Sequence, residues 1–175
     1  MSIELLFLES VIKRFKEYKT LGEKTFDQLT TAQLHHQPHK ASNSIAIIIQ
    51  HLHGNMRSRW TAFLTEDGEK AWRRRDAEFE IKAAEKEVLL QLWHQGWEAL
   101  FSTLTTLTAE DLAKTITIRS QPLTVVDAIN RQLAHYSYHV GQIVFLGKWM
   151  IGNGWQSLTI PKGGSQAYNT ALQKP

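Results

Sequence analysis

The stretch "LAHYSYHVGQ", residues 133–142, sets His135 and His139 four positions apart in a run of aliphatic residues. Neutral imidazoles at that spacing on a helix share a face and can converge on one cation. At about 100° per residue, His139 lies about 40° round from His135. Val125, Ile129, Leu133, Tyr136, Val140, Ile143 and Val144 fill the neighbouring arc, while Asp127, Asn130, Ser137 and Lys148 take the opposite side. The pair therefore sits at the edge of an apolar stripe, where a pocket would open. A metal needs a third ligand, and "QHLHGN" (50–55) offers His51 and His53. On a helix these two lie about 200° apart, so only one can face a shared ion. His51 borders the stripe of Ile45, Ile48, Leu52, Met56 and Phe63 as the His135 pair borders its own, which favours it as the partner. Three imidazoles with one coordination position open suit zinc or a similar borderline cation, able to lower the pKa of a bound water or polarise a substrate. The alternative, that two of eight histidines fall by chance at the wet edge of a helix seam, stays open on spacing alone.

Other motifs narrow the chemistry. Tyr136 follows His135, so there is no H-E-x-x-H and no metalloprotease glutamate. No Glu-x-x-His occurs, which argues against a di-iron carboxylate bundle. The chain has no cysteine, which removes disulfides, thiolate ligands and cysteine nucleophiles. His35, His36, His39 and His94 read as surface residues. Asn55, one turn after His51, is a candidate to hydrogen-bond a metal-bound water or substrate, or else a plain helix-face contact. Arg59 projects into the apolar arc and must pair with an acid from 66–80 or with a ligand. Trp60 and Trp72 read as core or loop anchors.

These residues need helices to position them, and four segments carry the period: 2–28, 43–64, 82–106 and 123–150. Leu5, Leu8, Ile12 and Phe15 mark the first, and Val88, Leu89, Leu92, Trp93 and Leu100 the third. "HHQPHKASNS" (35–44) breaks the pattern and supplies a cap for the second helix. "TITIRSQPLTV" (115–125) alternates and reads as a short hairpin or extended crossover. The Gly-rich tail, 151–175, has no period and is expected as an irregular segment packed back on one domain spanning 1–175. "LTTAQL" and "LTAEDL", after the first and third helices, hint at two helix pairs built alike. The expected fold class is all-α, a four-helix bundle with crossover loops.

Composition limits the partners. Net charge is +3 over 175 residues, and the one dense basic run, "WRRRD" (72–76), is surrounded by Asp67, Glu69, Asp76, Glu78 and Glu80. It reads as a solvated or substrate-facing cluster, and no nucleic-acid partner is expected. No apolar run approaches the ~20 residues needed to span a bilayer, and "MSIELLFLESVIKRF" does not read as a signal peptide. A cytoplasmic protein without a membrane partner is expected.

"NSIAIIIQHLHGNMRSRWTAFLTEDGEKAWRRRDAEFE" (43–80), "QLAHYSYHVGQIVFLGK" (132–148) and "WQSLTIPKGGSQAYN" (155–169) together resemble the DinB-like superfamily, and within it a branch of uncharacterised bacterial proteins. The resemblance covers essentially the whole chain. It implies an up-down-down-up four-helix bundle, a divalent metal (zinc or nickel) held by His51, His135 and His139, and a homodimer. Some members of that superfamily are thiol transferases that use bacillithiol or mycothiol, and others are described as metal-dependent hydrolases. Three functions follow as expectations. The first is a low-molecular-weight thiol S-transferase, with Arg57, Arg59 and Arg73 to Arg75 holding an anionic thiol of the bacillithiol type. The second is a metal-dependent amide or ester hydrolase using an acid of 66–80 as proton shuttle. The third is a non-catalytic, metal-stabilised stress-response or binding module. "IPKGGS" (160–165) is expected to close over the pocket or clasp a partner subunit.

Overall fold

A computed structural model describes residues 2–80 and 82–173. Six α-helices occur among them: α1 (Ile3–Phe26), α2 (Thr31–His35), α3 (Ile45–Trp60), α4 (Lys86–Leu104), α5 (Val125–Ile151) and α6 (Ser165–Leu172). A two-stranded antiparallel hairpin, β1 (Thr115–Ile118) and β2 (Gln121–Thr124), precedes α5. Three of the four long helices start at a hydroxyl cap. Ser2, Ser44 and Thr124 accept the backbone N–H three residues on, which fixes where α1, α3 and α5 begin. Gly152, at φ 61°, ends α5 in a conformation that disfavours a side chain.

Each long helix touches two others: α3 lies along α4 and against α5, and α1 lies along α5 and against α4. Between them runs one hydrophobic cluster with an aromatic centre. Phe15 of α1 meets Trp60, Trp97 and Tyr136 from the other three helices, with ring centroids 5.9 to 6.4 Å apart. Trp93 stands edge-on to Phe26 at 5.0 Å, a favoured aromatic geometry. Gly22 makes that possible, since a Cβ there would overlap the Trp93 ring. Among the described residues no helix is long and apolar enough to cross a membrane.

The expected helices are present, each starting slightly later; α1, α3 and α4 also end earlier, while α5 runs to Ile151, and two stripe positions, Leu5 and Val88, face solvent. The 115–125 segment resolves as the hairpin. "LTTAQL" and "LTAEDL" are alike in three dimensions: in both a threonine and the residue three on cap each other. Thr30 pairs with Gln33 at the start of α2, and Thr108 with Asp111 at a 3-10 turn (Glu110–Ala113), with Leu34 and Leu112 buried behind.

The tail departs from expectation. It is not wholly irregular, because Ser165–Leu172 forms α6; its apolar residues, Ala167, Tyr168, Ala171 and Leu172, recur at four-residue steps over only eight residues, and none is buried. The part nearer α5 does pack back. Gln156 and Gln28 exchange two hydrogen bonds of 2.9 and 3.2 Å, and Trp155 lies over Gly147. Residues 160–165 line no part of the histidine cavity described below, so "IPKGGS" does not close over it.

The hairpin is tight and strained. Arg119 and Ser120 form a two-residue loop, with φ of 57° and 59°. Such loops favour Asn-Gly because both residues need positive φ. Asp67 holds this one in place: its carboxylate accepts the N–H groups of Arg119 at 2.9 Å and Ser120 at 2.7 Å. Burial pushes the Asp67 carboxyl up, but these bonds and one from the Glu69 N–H bring it down to about 2. The double change Arg119→Asn with Ser120→Gly is therefore expected to stabilise the protein by about 1 kcal/mol. Chemical denaturation checks this, and an unchanged or lower midpoint contradicts the strain.

Candidate metal centre

Three elements build the site. α3 carries His51, Asn55 and Arg59 at four-residue steps, and α5 carries Gln132, His135 and His139 on the face turned toward it. A 3-10 turn (Asp76–Phe79) packs on α3 and delivers Glu78 and Phe79. Gly54 admits that turn, because a Cβ there would overlap the Glu78 carboxylate. Phe79 covers the His51 ring at 4.8 Å between centroids, and Tyr138 flanks His139 at 4.8 Å.

The three rings converge through their Nε2 atoms. His135 Nε2 lies 3.3 Å from His51 Nε2 and 3.1 Å from His139 Nε2. One ligand atom from each histidine lies within 4.8 Å of the others, so the cluster can hold a metal ion. The outer bonds set the tautomers. His51 Nδ1 is 2.9 Å from Glu78 Oε2, an ionised acceptor, so Nδ1 carries the proton and Nε2 presents its lone pair. His139 Nδ1 donates to Gln142 Oε1 at 2.9 Å, with the same consequence. Four ligands at about 2.0–2.1 Å around a tetrahedral ion stand about 3.3 Å apart, and cis ligands of an octahedral one about 2.9 Å. Two of the three separations, 3.3 and 3.1 Å, fall in that range, so the donor set can hold a divalent cation.

Burial keeps His135 and His139 neutral. It lowers His135 to about 3, helped by the facing His139 and His51, and lowers His139 to about 4, helped by His51 against the opposing Gln142 bond. Glu78 is raised by burial, but Arg73 and His51 outweigh this and leave it below the usual carboxylate range. Arg73 grips it with two bonds, Nε to Oε1 at 2.7 Å and Nη2 to Oε2 at 2.8 Å. Behind Arg73, Glu69 Oε2 accepts from Arg73 Nη1 at 3.4 Å, Arg59 Nη2 at 3.0 Å and Arg119 Nε at 3.0 Å. Arg59 also donates to the Gly68 carbonyl.

The rings open on a cavity of about 440 Å³ that is lined further by Asn55, Gln132 and five arginines, Arg59, Arg73, Arg75, Arg119 and Arg131. Arg59 thus finds its expected acid in Glu69. Asn55 is half committed: its Oδ1 accepts from Tyr136 Oη at 3.0 Å, so only its NH₂ end is left to donate into the cavity. His53 turns toward α4 and plays no part. Arg57 does not reach the cavity and lies 5.5 Å over the exposed Trp72 ring, which makes Trp72 a surface platform rather than an anchor; Trp60 is buried as expected. Arg74 does not line it either. Of the remaining histidines, His35 bonds the Ala84 carbonyl, His36 stacks on Trp149, His39 accepts from the Ala41 N–H, and His94 approaches Glu23 at 3.4 Å. Sequence reasoning placed Arg73 and Arg75 beside the histidines, where they line the cavity, but missed Arg73's grip on Glu78 and the roles of Glu78, Gln142, Arg119 and Arg131. Gln142, three residues after His139, is the one whose spacing signalled it.

Because His135 and His139 sit below the ordinary histidine range when folded, the unfolded chain takes up protons first. Stability of the metal-free protein is complete above about pH 6.5 and falls as the pH drops toward 4. Thermal melts between pH 7 and pH 5 should show a declining midpoint, and the decline should flatten in a His135→Gln, His139→Gln variant. A midpoint that stays level in the parent protein contradicts the buried, neutral cluster.

A crystal structure of a conserved protein from Enterococcus faecalis superposes with a TM-score of 0.61 at 19% identity, covering 87% of this chain and 99% of that one. At that identity the likeness speaks for the fold alone. No curated protein matches the chain. Residues 2–164 match the family model described as "Protein of unknown function (DUF1572)", and the chain belongs to that family.

Proposed function

We propose that the protein is a metal-dependent enzyme of the DinB-like type, with α1, α3, α4 and α5 as its four-helix bundle and zinc or nickel held by His51, His135 and His139. The reaction proposed is transfer of a low-molecular-weight thiol. The observation that carries the metal reading is the meeting of three Nε2 atoms, two with lone pairs fixed by Glu78 and Gln142. When bound, a divalent cation supplies the Lewis acidity that ionises a coordinated thiol near neutral pH. The chain has no cysteine, so the sulfur must arrive with a substrate.

The chain's own residues do the rest. Glu78 fixes the His51 ring and Arg73 fixes Glu78, so one face of the site is held before substrate arrives. Phe79 packs on the His51 ring and Tyr138 on the His139 ring, and both line the cavity. The arginines lining the cavity favour an anionic thiol and an electrophile whose leaving group departs with the bonding pair. The substrate sulfur forms its bond to the electrophilic carbon as the leaving-group bond breaks, and the thiol proton passes to solvent.

Hydrolysis has less support, because it needs a proton carrier beside the nucleophilic water. Glu69 and Glu78 are engaged by arginines and His51, both lie below the ordinary carboxylate range, and neither lines the cavity. A homodimer is also proposed, and Tyr138, Phe145 and Trp149 form an exposed apolar edge on α5 that suits it.

His51→Ala is expected to abolish stoichiometric zinc binding, and Glu78→Gln to weaken it by about 10- to 100-fold, as loss of a carboxylate behind a histidine ligand does. Competition with a fluorescent chelator measures both. Calorimetry of the zinc-loaded protein with a small thiol tests the reaction class. No binding at millimolar thiol rejects the transferase.

A further inference from the structure

The charges on the cavity wall do not balance. Five guanidinium groups line it and no carboxylate does. Behind them, Glu78 serves Arg73 and His51, and Glu69 is shared by Arg59, Arg73 and Arg119. Arg75 has only Asp76, fully exposed and 3.6 Å away, and lies 5.0 Å over the Phe79 ring. Arg131 pairs with no acid among the described residues. With Asp76 counted, the five guanidinium groups meet three carboxylates, Glu69, Glu78 and Asp76, a formal excess of two positive charges around one cavity.

Two further observations mark this wall as built for a ligand. Arg59, only 4% exposed, lines the cavity with a buried Nε that donates to nothing. A buried charged donor left unpaired is costly unless a ligand satisfies it. Arg119 sits in the strained turn held by Asp67, where Asn-Gly would be easier. Backbone strain of this kind concentrates at functional positions. Here the strained residue is the one whose guanidinium joins the cavity wall.

We propose that Arg119, Arg131 and Arg75, with Arg59 Nε beneath them, form an oxyanion subsite next to the metal centre, taking a carboxylate or phosphate group of the substrate. Arg131 lies one turn before His135 on α5, about 6 Å along the axis. A compact molecule can therefore place its reactive atom at the histidines and its anionic group at the arginines. The subsite rests on the cavity being the substrate site and holds for thiol transfer or hydrolysis alike.

Calorimetric titration of the zinc-loaded protein with inorganic phosphate and, separately, with succinate tests this. Binding of at least one anion is expected, with affinity reduced tenfold or more in Arg131→Ala and in the Arg119→Asn, Ser120→Gly variant. Zinc stoichiometry and binding of 2-mercaptoethanol, a neutral thiol, should be unchanged in both. Because the turn variant is expected to be the more stable protein, its loss of anion binding cannot be put down to unfolding. Preference for phosphate over succinate, or the reverse, decides the class of oxyanion. Anion binding that survives both arginine changes and disappears in His51→Ala places the anion on the metal and overturns the subsite. Absence of anion binding while 2-mercaptoethanol still binds overturns the subsite alone; absence of thiol binding overturns the transferase reading separately.

Discussion

Three imidazoles cannot rest with their Nε2 atoms turned toward one another unless something holds them there, and the hydrogen bond between His51 and Glu78 is where that holding begins. It sets one tautomer, and the bidentate Arg73–Glu78 pair fixes the carboxylate in turn. Glu69 ties Arg73 to Arg59 on α3 and to Arg119 on the hairpin. The loop of 66–80 thus works as an ionic keystone between α3 and the hairpin. The acids that crowd the basic run in sequence hold His51 and the site's arginines in place.

The same helices join the site to the core. Trp60 donates to Tyr136 Oη at 3.0 Å, and Tyr136 donates to Asn55 Oδ1 at 3.0 Å. Tyr136 lies between the histidines on α5 and packs against Phe15 and Trp97. A buried polar chain therefore runs from the aromatic centre to the cavity wall. Full burial pushes the Tyr136 hydroxyl above its usual range, so it stays protonated and able to donate. Core packing sets the rotation of α5 about its own axis, and that rotation aims His135 and His139 toward α3.

How much of this could be read beforehand depends on the range over which each signal acts. Helical period is local, so α1, α3, α4 and α5 were readable, and so was the stripe-edge position of His51, His135 and His139. The hydroxyl caps were partly visible for the same reason. Glu78 lies 27 positions from the ring it orients, and nothing in the spacing of 66–80 separates it from its acidic neighbours. Arg119 and Arg131 carried no signal, because one is placed by a turn type its own residues disfavour and the other by the rotation of α5. Trp72 misled because a tryptophan beside a basic run looks like an anchor, whereas Arg57 covers it at the surface. α6 went unread because its four-residue spacing of Ala167, Tyr168, Ala171 and Leu172 spans only eight residues beside a Gly-rich stretch.

The hairpin shows how local preference can lose to electrostatics. Arg-Ser is a poor sequence for a loop that needs two residues at positive φ. Two hydrogen bonds from the loop to Asp67 and the Arg119–Glu69 ion pair oppose that penalty. Charge-assisted bonds to backbone N–H groups are among the stronger ones available, and the Asp67 carboxyl, held near 2, remains ionised well into acid. The turn is therefore kept by a carboxylate from a distant loop, the loop that also carries Glu69 and Glu78. One loop, residues 67–78, thus holds both the hairpin, through Asp67 and Glu69, and the His51 ring, through Glu78.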